Sequence, residues 1–397
     1  MMSAHRWAWL EIDLGAIRSN VLAFRSLVGA QTQVMAIVKA DAYGHGAVRV
    51  SRAALEAGAT WLGVATVDEA LELRRADITA PILILAEPPE DALPEIIEHN
   101  ITPTATGLEF LRTLSGHALL ANTTVPFHLK IDTGMNRIGV SVDQAAAVLR
   151  DAQALPNLRV GGVFTHFATA DVAGDWDVKQ QIERFERALR RIREVGVDSG
   201  IVHACNSAGA VLLPEARYGM VRIGISLYGL HPSDATRQHI TLTPVMSVHA
   251  RATRVKPVAL GEGVGYGLTW HAFRKAQLVT LPLGYADGIP RLASNKMNVL
   301  IGATGKRIEQ VGTVCMDQLM CAAGPHDQVA FGDEFVLVGC AGKVSDVAAA
   351  ASTVRVQNSP RTPGFISIDE LADLAQTINH EITCGLGQRL EHVYRDV

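Results

Sequence analysis

The chain is expected to be an α/β protein, a (β/α)8 TIM-type barrel with a C-terminal mostly-β domain, and three observations predict this. Between Val34 and about Gly229, short β-branched runs alternate eight times with longer stretches of helical spacing, the pattern of a parallel sheet closed by intervening helices. From near Thr241 to Gly339 the segments are short, rich in Val, Thr and Gly, and free of long amphipathic helices. The length of 397 residues, 48% hydrophobic and 19% charged, suffices for two or three domains with sizeable cores. We place the barrel in residues 1–240 and the β domain in residues 241–397.

The N-terminal segment holds Trp7, Trp9 and Leu10 but soon meets Glu11 and Asp13, which breaks any signal-peptide core. No later run of about 20 uncharged apolar residues is present to span a bilayer. Barrel strands are expected at 34–39, 61–66, 81–86, 101–105, 126–131, 160–166, 200–206 and 220–226. The helical signal is clearest over 179–196, where Ile182, Phe185, Leu189 and Ile192 recur at steps of 3, 4 and 3. Glu183, Glu186, Arg187 and Arg190 fall on the opposite face and read as a solvated surface. In the second domain, strands are expected at 245–255, 276–282, 299–301, 307–311 and 328–337. Residues 341–365 read as a loop or insertion. A helix follows over 368–378, with Ser367 as its N-cap and Glu370 three residues on, the signature of a capping box.

Composition excludes several functions. The net charge of -4 is spread in both signs with no basic stripe, so nucleic acid is not an expected partner. The five cysteines contain no C-x-x-C and no Cys/His spacing of a zinc site, so we expect no metal and read free thiols in a reducing compartment. Together with the missing membrane signals, this predicts a soluble cytoplasmic protein.

In a barrel of this type, chemistry gathers where strands end on the C-terminal face. The first expected strand ends in Lys39, a charge that is costly to bury without a partner. It either snorkels to the rim or is tied down as an imine to an aldehyde cofactor. The fifth leads into Lys130 and KIDTGMNR, whose Arg137 is able to fork onto a carboxylate or to lie on the surface. The sixth ends at His166, and the seventh offers Asn206 and Ser207. The eighth carries Arg222 inside an apolar strand, followed by Gly224 and Ile225. The loops after strands seven and eight are where this fold commonly holds phosphate. In the β domain, residues 261–267 (GEGVGYG) lack the G-x-G-x-x-G spacing and a following helix, so they read as a loop presenting Tyr266 rather than as a nucleotide site.

Taken in order, AIVKADAYGHG at 36–46, KIDTGMNR at 130–137, THF at 165–167, NS at 206–207, RIG at 222–224, VGYG at 264–267, LGYADG at 283–288, VCMDQ at 314–318 and ITCGLG at 382–387 resemble the bacterial alanine racemases. The resemblance implies a barrel plus C-terminal β domain, a homodimer with shared active sites, and pyridoxal 5'-phosphate held as a Schiff base on Lys39. It implies Lys39 and Tyr266 as the two catalytic bases, Tyr266 coming from the partner subunit. Tyr43, Ser207, Gly224 and Ile225 would surround the phosphate, with Asn206 beside them, while Arg222 faces the pyridine nitrogen and His166 lies near the ring. Arg137 and the backbone of Met316, again the partner's, would bind the substrate carboxylate. Lys130 matches a lysine that is often carbamylated and steadies Arg137, and Tyr285, Asp317 and His380 support the site.

The implied reaction is two-base racemisation of L- and D-alanine, supplying D-alanine for peptidoglycan or serving alanine breakdown. An arginine at the ring nitrogen donates a hydrogen bond without surrendering its proton, which should discourage transamination. Two features depart from the family: His380-Glu381 stands where it commonly has Tyr-Glu, and residues 341–365 are longer. The histidine, smaller and polar, would loosen specificity toward serine or another small amino acid. Less favoured alternatives are a basic amino-acid decarboxylase, which would need an acidic residue at the ring nitrogen and a cysteine base, and a non-catalytic cofactor-binding barrel, which would leave everything after Thr241 unexplained.

Overall fold

The computed structural model describes residues 6–172, 174–341, 364–387 and 389–396. The insertion at 341–365 therefore lies almost wholly outside the described residues. The first strand, β1 (Ala8–Asp13), does not join the barrel. Eight parallel strands do: β2 (Gln33–Ile37), β3 (Trp61–Val64), β4 (Ile82–Ile84), β5 (Thr104–Ala105), β6 (Val125–Asp132), then, past the short β7 (Val140–Ser141) at the end of β6, β8 (Leu158–Phe164), β9 (Ile201–His203) and β10 (Met220–Ile223). Their order, β4-β3-β2-β10-β9-β8-β6-β5, is nearly a closed ring. The remaining seam between β4 and β5 is bridged by Leu83 and Thr102, with Ile84 N–H donating to the Thr102 carbonyl at 3.0 Å. All eight expected runs form strands: β5 ends at its expected C-terminal limit, β6 one residue beyond it, and the other six two or three residues short, because the pattern of apolar side chains continues into the loops that line the site.

Helices cover the barrel. Trp176–Glu194 buries Phe185, Leu189 and Ile192 as its stripe requires. Its Glu186 is not merely solvated: the carboxylate accepts from the Tyr218 hydroxyl at 2.6 Å, a contact with the loop before β10 that helical periodicity does not encode.

The second sheet contains β11 (Met246–Arg251), β12 (Arg254–Val258), β15 (Ala276–Leu281), β16 (Asn298–Ile301), β17 (Arg307–Val311), β18 (Leu319–Ala323) and β19 (Glu334–Cys340), with β20 (Phe365–Ile366) on β19. Between β12 and β15 a separate hairpin of β13 (Gly263–Val264) and β14 (Trp270–His271) projects. Both ends of the chain complete the sheet: β1 runs antiparallel to β11 and parallel to β21 (Glu391–Arg395). The N-terminal strand thus belongs with the β unit. All six of its residues are buried, and Trp9 stacks on His249 of β11 at 5.4 Å between ring centroids. This pairing spans nearly the whole sequence, so no local pattern announces it. Asp13 then ends the strand and caps the helix Leu14–Val28 by accepting from Ala16 N–H at 3.0 Å, which turns the chain into the barrel.

The expected cap at Ser367 forms, its hydroxyl accepting from Glu370 N–H at 3.0 Å. The Glu370 carboxylate, however, is gripped by Arg307 of β17 at 2.7 and 3.0 Å, so tertiary pairing claims the side chain assigned to the capping box.

Candidate active site

Lys39 sits two residues past the C-terminal end of β2, half-buried at the rim. The four residues after it adopt a left-handed turn, with φ between 50° and 54° from Ala40 to Tyr43. Each such residue costs about 1–2 kcal/mol, so the turn persists only because its surroundings over-determine it. Glu69 caps it from the helix Val67–Arg75 that follows β3, accepting from Ala40 N–H at 2.7 Å while its other oxygen takes Ala65 N–H at 2.7 Å. Asp41 reaches forward to Ala47 N–H at 2.7 Å. His45, wholly buried and pushed down to about pKa 3 by burial, donates from Nδ1 to the carbonyls of Ala42 and Tyr43. The C-terminal helix Asn379–Leu386 closes over this turn, and the Thr383 carbonyl lies only 2.5 Å from where a Cβ on Gly44 would stand.

Arg222, on β10, points into the barrel mouth and is buried. Its Nη2 contacts the carbonyls of Thr165 and Ala204, both at 2.8 Å, and His166 Nδ1 at 3.0 Å, while Nη1 donates to His203 Nδ1 at 3.0 Å. The guanidinium also lies over the Phe164 ring at 5.4 Å. Burial pushes Arg222 down to about 10, so it keeps its proton at neutral pH. Burial first, and the Arg222 charge second, hold His166 and His203 well below the ordinary histidine range, so both are neutral acceptors. Both Nη atoms are thus taken by protein acceptors, while Nε enters none of these bonds; the residue lines the cleft.

Next to it is a cradle for an anion. Ser207 opens a short helix, Ser207–Leu212, that Asn206 caps through Gly209 N–H at 2.9 Å. The Ser207 hydroxyl also accepts from Gly224 N–H at 2.9 Å. A Cβ on Gly224 would stand 2.8 Å from the Tyr43 hydroxyl, so glycine is what lets Tyr43, Ser207 and the 224 backbone converge. Burial pushes the Tyr43 phenol up, keeping it a neutral donor. Ile225 follows, buried beside it.

One cleft of about 1130 Å³ joins these groups, and Lys130, Arg137 and His380 also line it. Lys130 is buried, with Nζ donating to the Ile131 carbonyl at 3.1 Å and lying 5.6 Å from the Phe164 ring centroid. Burial, then the neighbouring charges of Arg222 and Arg137, push it down to about 7. The His380 ring lies 6.0 Å from that of Tyr43, and its buried Nδ1 has no hydrogen-bond partner. The cleft is therefore cationic at its base, suited to a ligand with a carboxylate and a phosphate.

Tyr266 and Met316 are not in this cleft. Tyr266 stands at the tip of the β13–β14 hairpin, 73% exposed, and Met316 is 53% exposed. The Met316 carbonyl accepts from Ala286 N–H at 3.0 Å, and Tyr285 N–H donates to the Cys315 carbonyl at 3.0 Å, tying two loops together. Asp317 pairs with Arg389 at 2.9 Å, and the same Arg389 lies 3.5 Å from buried Asp287. Among the described residues no group of His, Cys, Asp and Glu is placed to hold a metal. Sequence reasoning missed Phe164, His128, Glu69 and His45 as parts of the site. Their signal was available in part: His128 lies two residues before Lys130 on the same strand, and so shares its inward face.

Comparison with known proteins agrees with this geometry. Models of the alanine racemase N-terminal and C-terminal domains match residues 12–232 and 245–361. The chain is 41% identical to the alanine racemase of Desulfovibrio desulfuricans over 394 residues, covering 99% of this chain and 100% of the relative. It superposes on the crystal structure of alanine racemase from D-cycloserine-producing Streptomyces lavendulae with a TM-score of 0.88 at 35% identity, covering 100% of this chain and 98% of that one. The fold is also shared, with a TM-score of 0.85 at 29% identity over the whole of both chains, by the histidine racemase of Leuconostoc mesenteroides.

Proposed function

The chain belongs to the alanine racemase family, whose members depend on pyridoxal phosphate, and from that premise we propose how its own residues interconvert L- and D-alanine. The observation that carries the reading is the placement of Lys39, the cradle of Tyr43, Ser207 and Gly224, and Arg222 around one cleft. These residues fit the cofactor: the cradle matches a phosphate, Arg222 Nε a pyridine nitrogen acceptor, and the Lys39 amine the aldehyde. When bound, the cofactor withdraws electrons from the substrate α-carbon and so makes its proton removable.

The protein supplies the rest. Arg137, with the backbone of Met316 of the partner subunit, grips the substrate carboxylate and fixes the α-carbon. The Lys39 amine takes or returns the proton on one face, and the phenol of Tyr266 of the partner subunit does so on the other. One base starts deprotonated and the other protonated, and the roles reverse for the opposite enantiomer. Arg222, kept charged and anchored through its Nη atoms, donates to the ring nitrogen without giving up its proton. Lys130, whose neutral amine is the form that reacts with carbon dioxide, supports Arg137 as a carbamate. The exposure of Tyr266 and Met316 supports a homodimer with shared sites. We assign the enzyme to the cytoplasm, where its cysteines stay reduced, and to D-alanine supply for peptidoglycan.

L-Alanine in heavy water should yield D-alanine carrying deuterium at the α-carbon, and borohydride should trap the cofactor on Lys39. Carbon dioxide release with no deuterated D-alanine would overturn the reading in favour of decarboxylation. A second reading, that serine is also a substrate, is favoured by His380, whose imidazole lines the cleft with an unpartnered nitrogen.

A further inference from the structure

Deepening that reading of the site, we infer that His128 is a positioning residue for Arg222, acting through His203 along a relay of two neutral imidazoles across the barrel interior. The direction of every bond in the relay is fixed from one end. Arginine has only donors, so the Arg222 Nη1–H bond at 3.0 Å requires a bare Nδ1 on His203. A neutral His203 then carries its proton on Nε2, which lies 2.9 Å from His128 Nδ1 and donates to it. His128 in turn holds its proton on Nε2, where the chain of bonds ends, since that atom is buried without a partner.

The imidazoles are locked in place. Phe164 stacks on His203 with centroids 4.7 Å apart and planes 1° from parallel, and Trp61 packs on His128 at 5.3 Å. Two consecutive glycines of β8 make room: a Cβ on Gly162 would lie 2.7–2.8 Å from the His128 ring, and one on Gly161 at 3.2–3.3 Å. What the relay achieves is acceptance without charge. A carboxylate at His203 would orient Arg222 equally well but neutralise it, whereas imidazoles hold Nη1 and leave the full positive charge facing the cleft.

The test uses the full-length protein labelled with 15N-histidine, with and without pyridoxal phosphate. Side-chain spectra should show His128 and His203 both neutral and protonated on Nε2. A proton on Nδ1 of His128 would overturn the inference. In the loaded enzyme, H128N keeps an acceptor near the Nδ1 position and should hold kcat within about threefold of wild type. H128L removes it and should lower kcat about tenfold or more, with KM for alanine little changed and the His203 resonances shifted. Unchanged kcat and unchanged His203 resonances in H128L would also overturn it. If H128L fails to fold, the spectra of the unmutated chain decide. Wild-type protein that does not racemise alanine would sink the reading of the site while leaving the tautomer result to stand by itself.

Discussion

The barrel mouth and the tip of the β13–β14 hairpin carry the two proposed proton-handling groups, and they are built in opposite ways. Around Lys39 side chains hold the structure in place: a left-handed turn is held by Glu69, Asp41 and His45, and both Nη atoms of Arg222 are bonded. Around Tyr266 almost nothing grips the side chain. Its backbone carbonyl accepts from Thr313 at 3.0 Å, but the phenol stands out from the surface. On the reading proposed above, one half of the site is preorganised within a chain, and the other would be presented for a second copy to complete. A base that must approach a ligand from outside cannot also be buried in its own domain.

The largest expected effect tests this division directly. Tyr266→Phe should lower racemisation by about 10³-fold, because one face of the α-carbon loses its acid–base group, while deuterium exchange without inversion persists. Mixing Lys39→Ala with Tyr266→Phe chains and allowing subunits to reassort should restore about a quarter of wild-type activity, from hybrid dimers with one intact site. No recovery in verified hybrids would place both bases in one chain and break the comparison.

A second effect belongs to the barrel side alone. Lys130 is held at about 7 in the fold against an ordinary 10.5. Below about 7 both folded and unfolded chains bind the proton, and the burial penalty is fully present. Between 7 and 10.5 only the unfolded chain binds it, so this group lets stability rise with pH. Lys130→Met should therefore stabilise the cofactor-free protein, kept in carbon-dioxide-depleted buffer so that Lys130 is a free amine, by about 2–4 kcal/mol at pH 6, and little at pH 10. Denaturant titrations at the two pH values check this, and equal gains at both would contradict it.

Smaller still is Glu69→Ala, which frees the Ala40 N–H at the start of the left-handed turn. It should cost about 1–2 kcal/mol and weaken cofactor retention in equilibrium dialysis. A variant that binds cofactor as wild type does would show that the turn holds itself. Least disruptive is His380→Tyr, which should raise the alanine-to-serine ratio of kcat/KM by about 10-fold by crowding the space beyond the substrate methyl. An unchanged ratio would remove His380 from the specificity question.

Much of this was legible in the chain. Eight apolar runs, each closed by a loop of chemistry-bearing residues, mark a barrel because strand and helix periods are local properties of consecutive side chains. The strand ends pointed to Lys39, Lys130, His166, Ser207 and Arg222 for the same reason, and the motif order tied them to a family. Other features depended on groups that are distant in sequence. The seat of β1 in the second sheet is set by pairing with β11 and β21, and the loss of Glu370 from its capping box is set by Arg307. The left-handed turn after Lys39 has no glycine among residues 40–43 to advertise it; Glu69, Asp41, His45 and the helix Asn379–Leu386 make it tolerable. Hydrogen-bond direction was likewise beyond the sequence. Composition can supply an arginine and two histidines, but which nitrogen donates is decided only when the fold buries them about 3 Å apart.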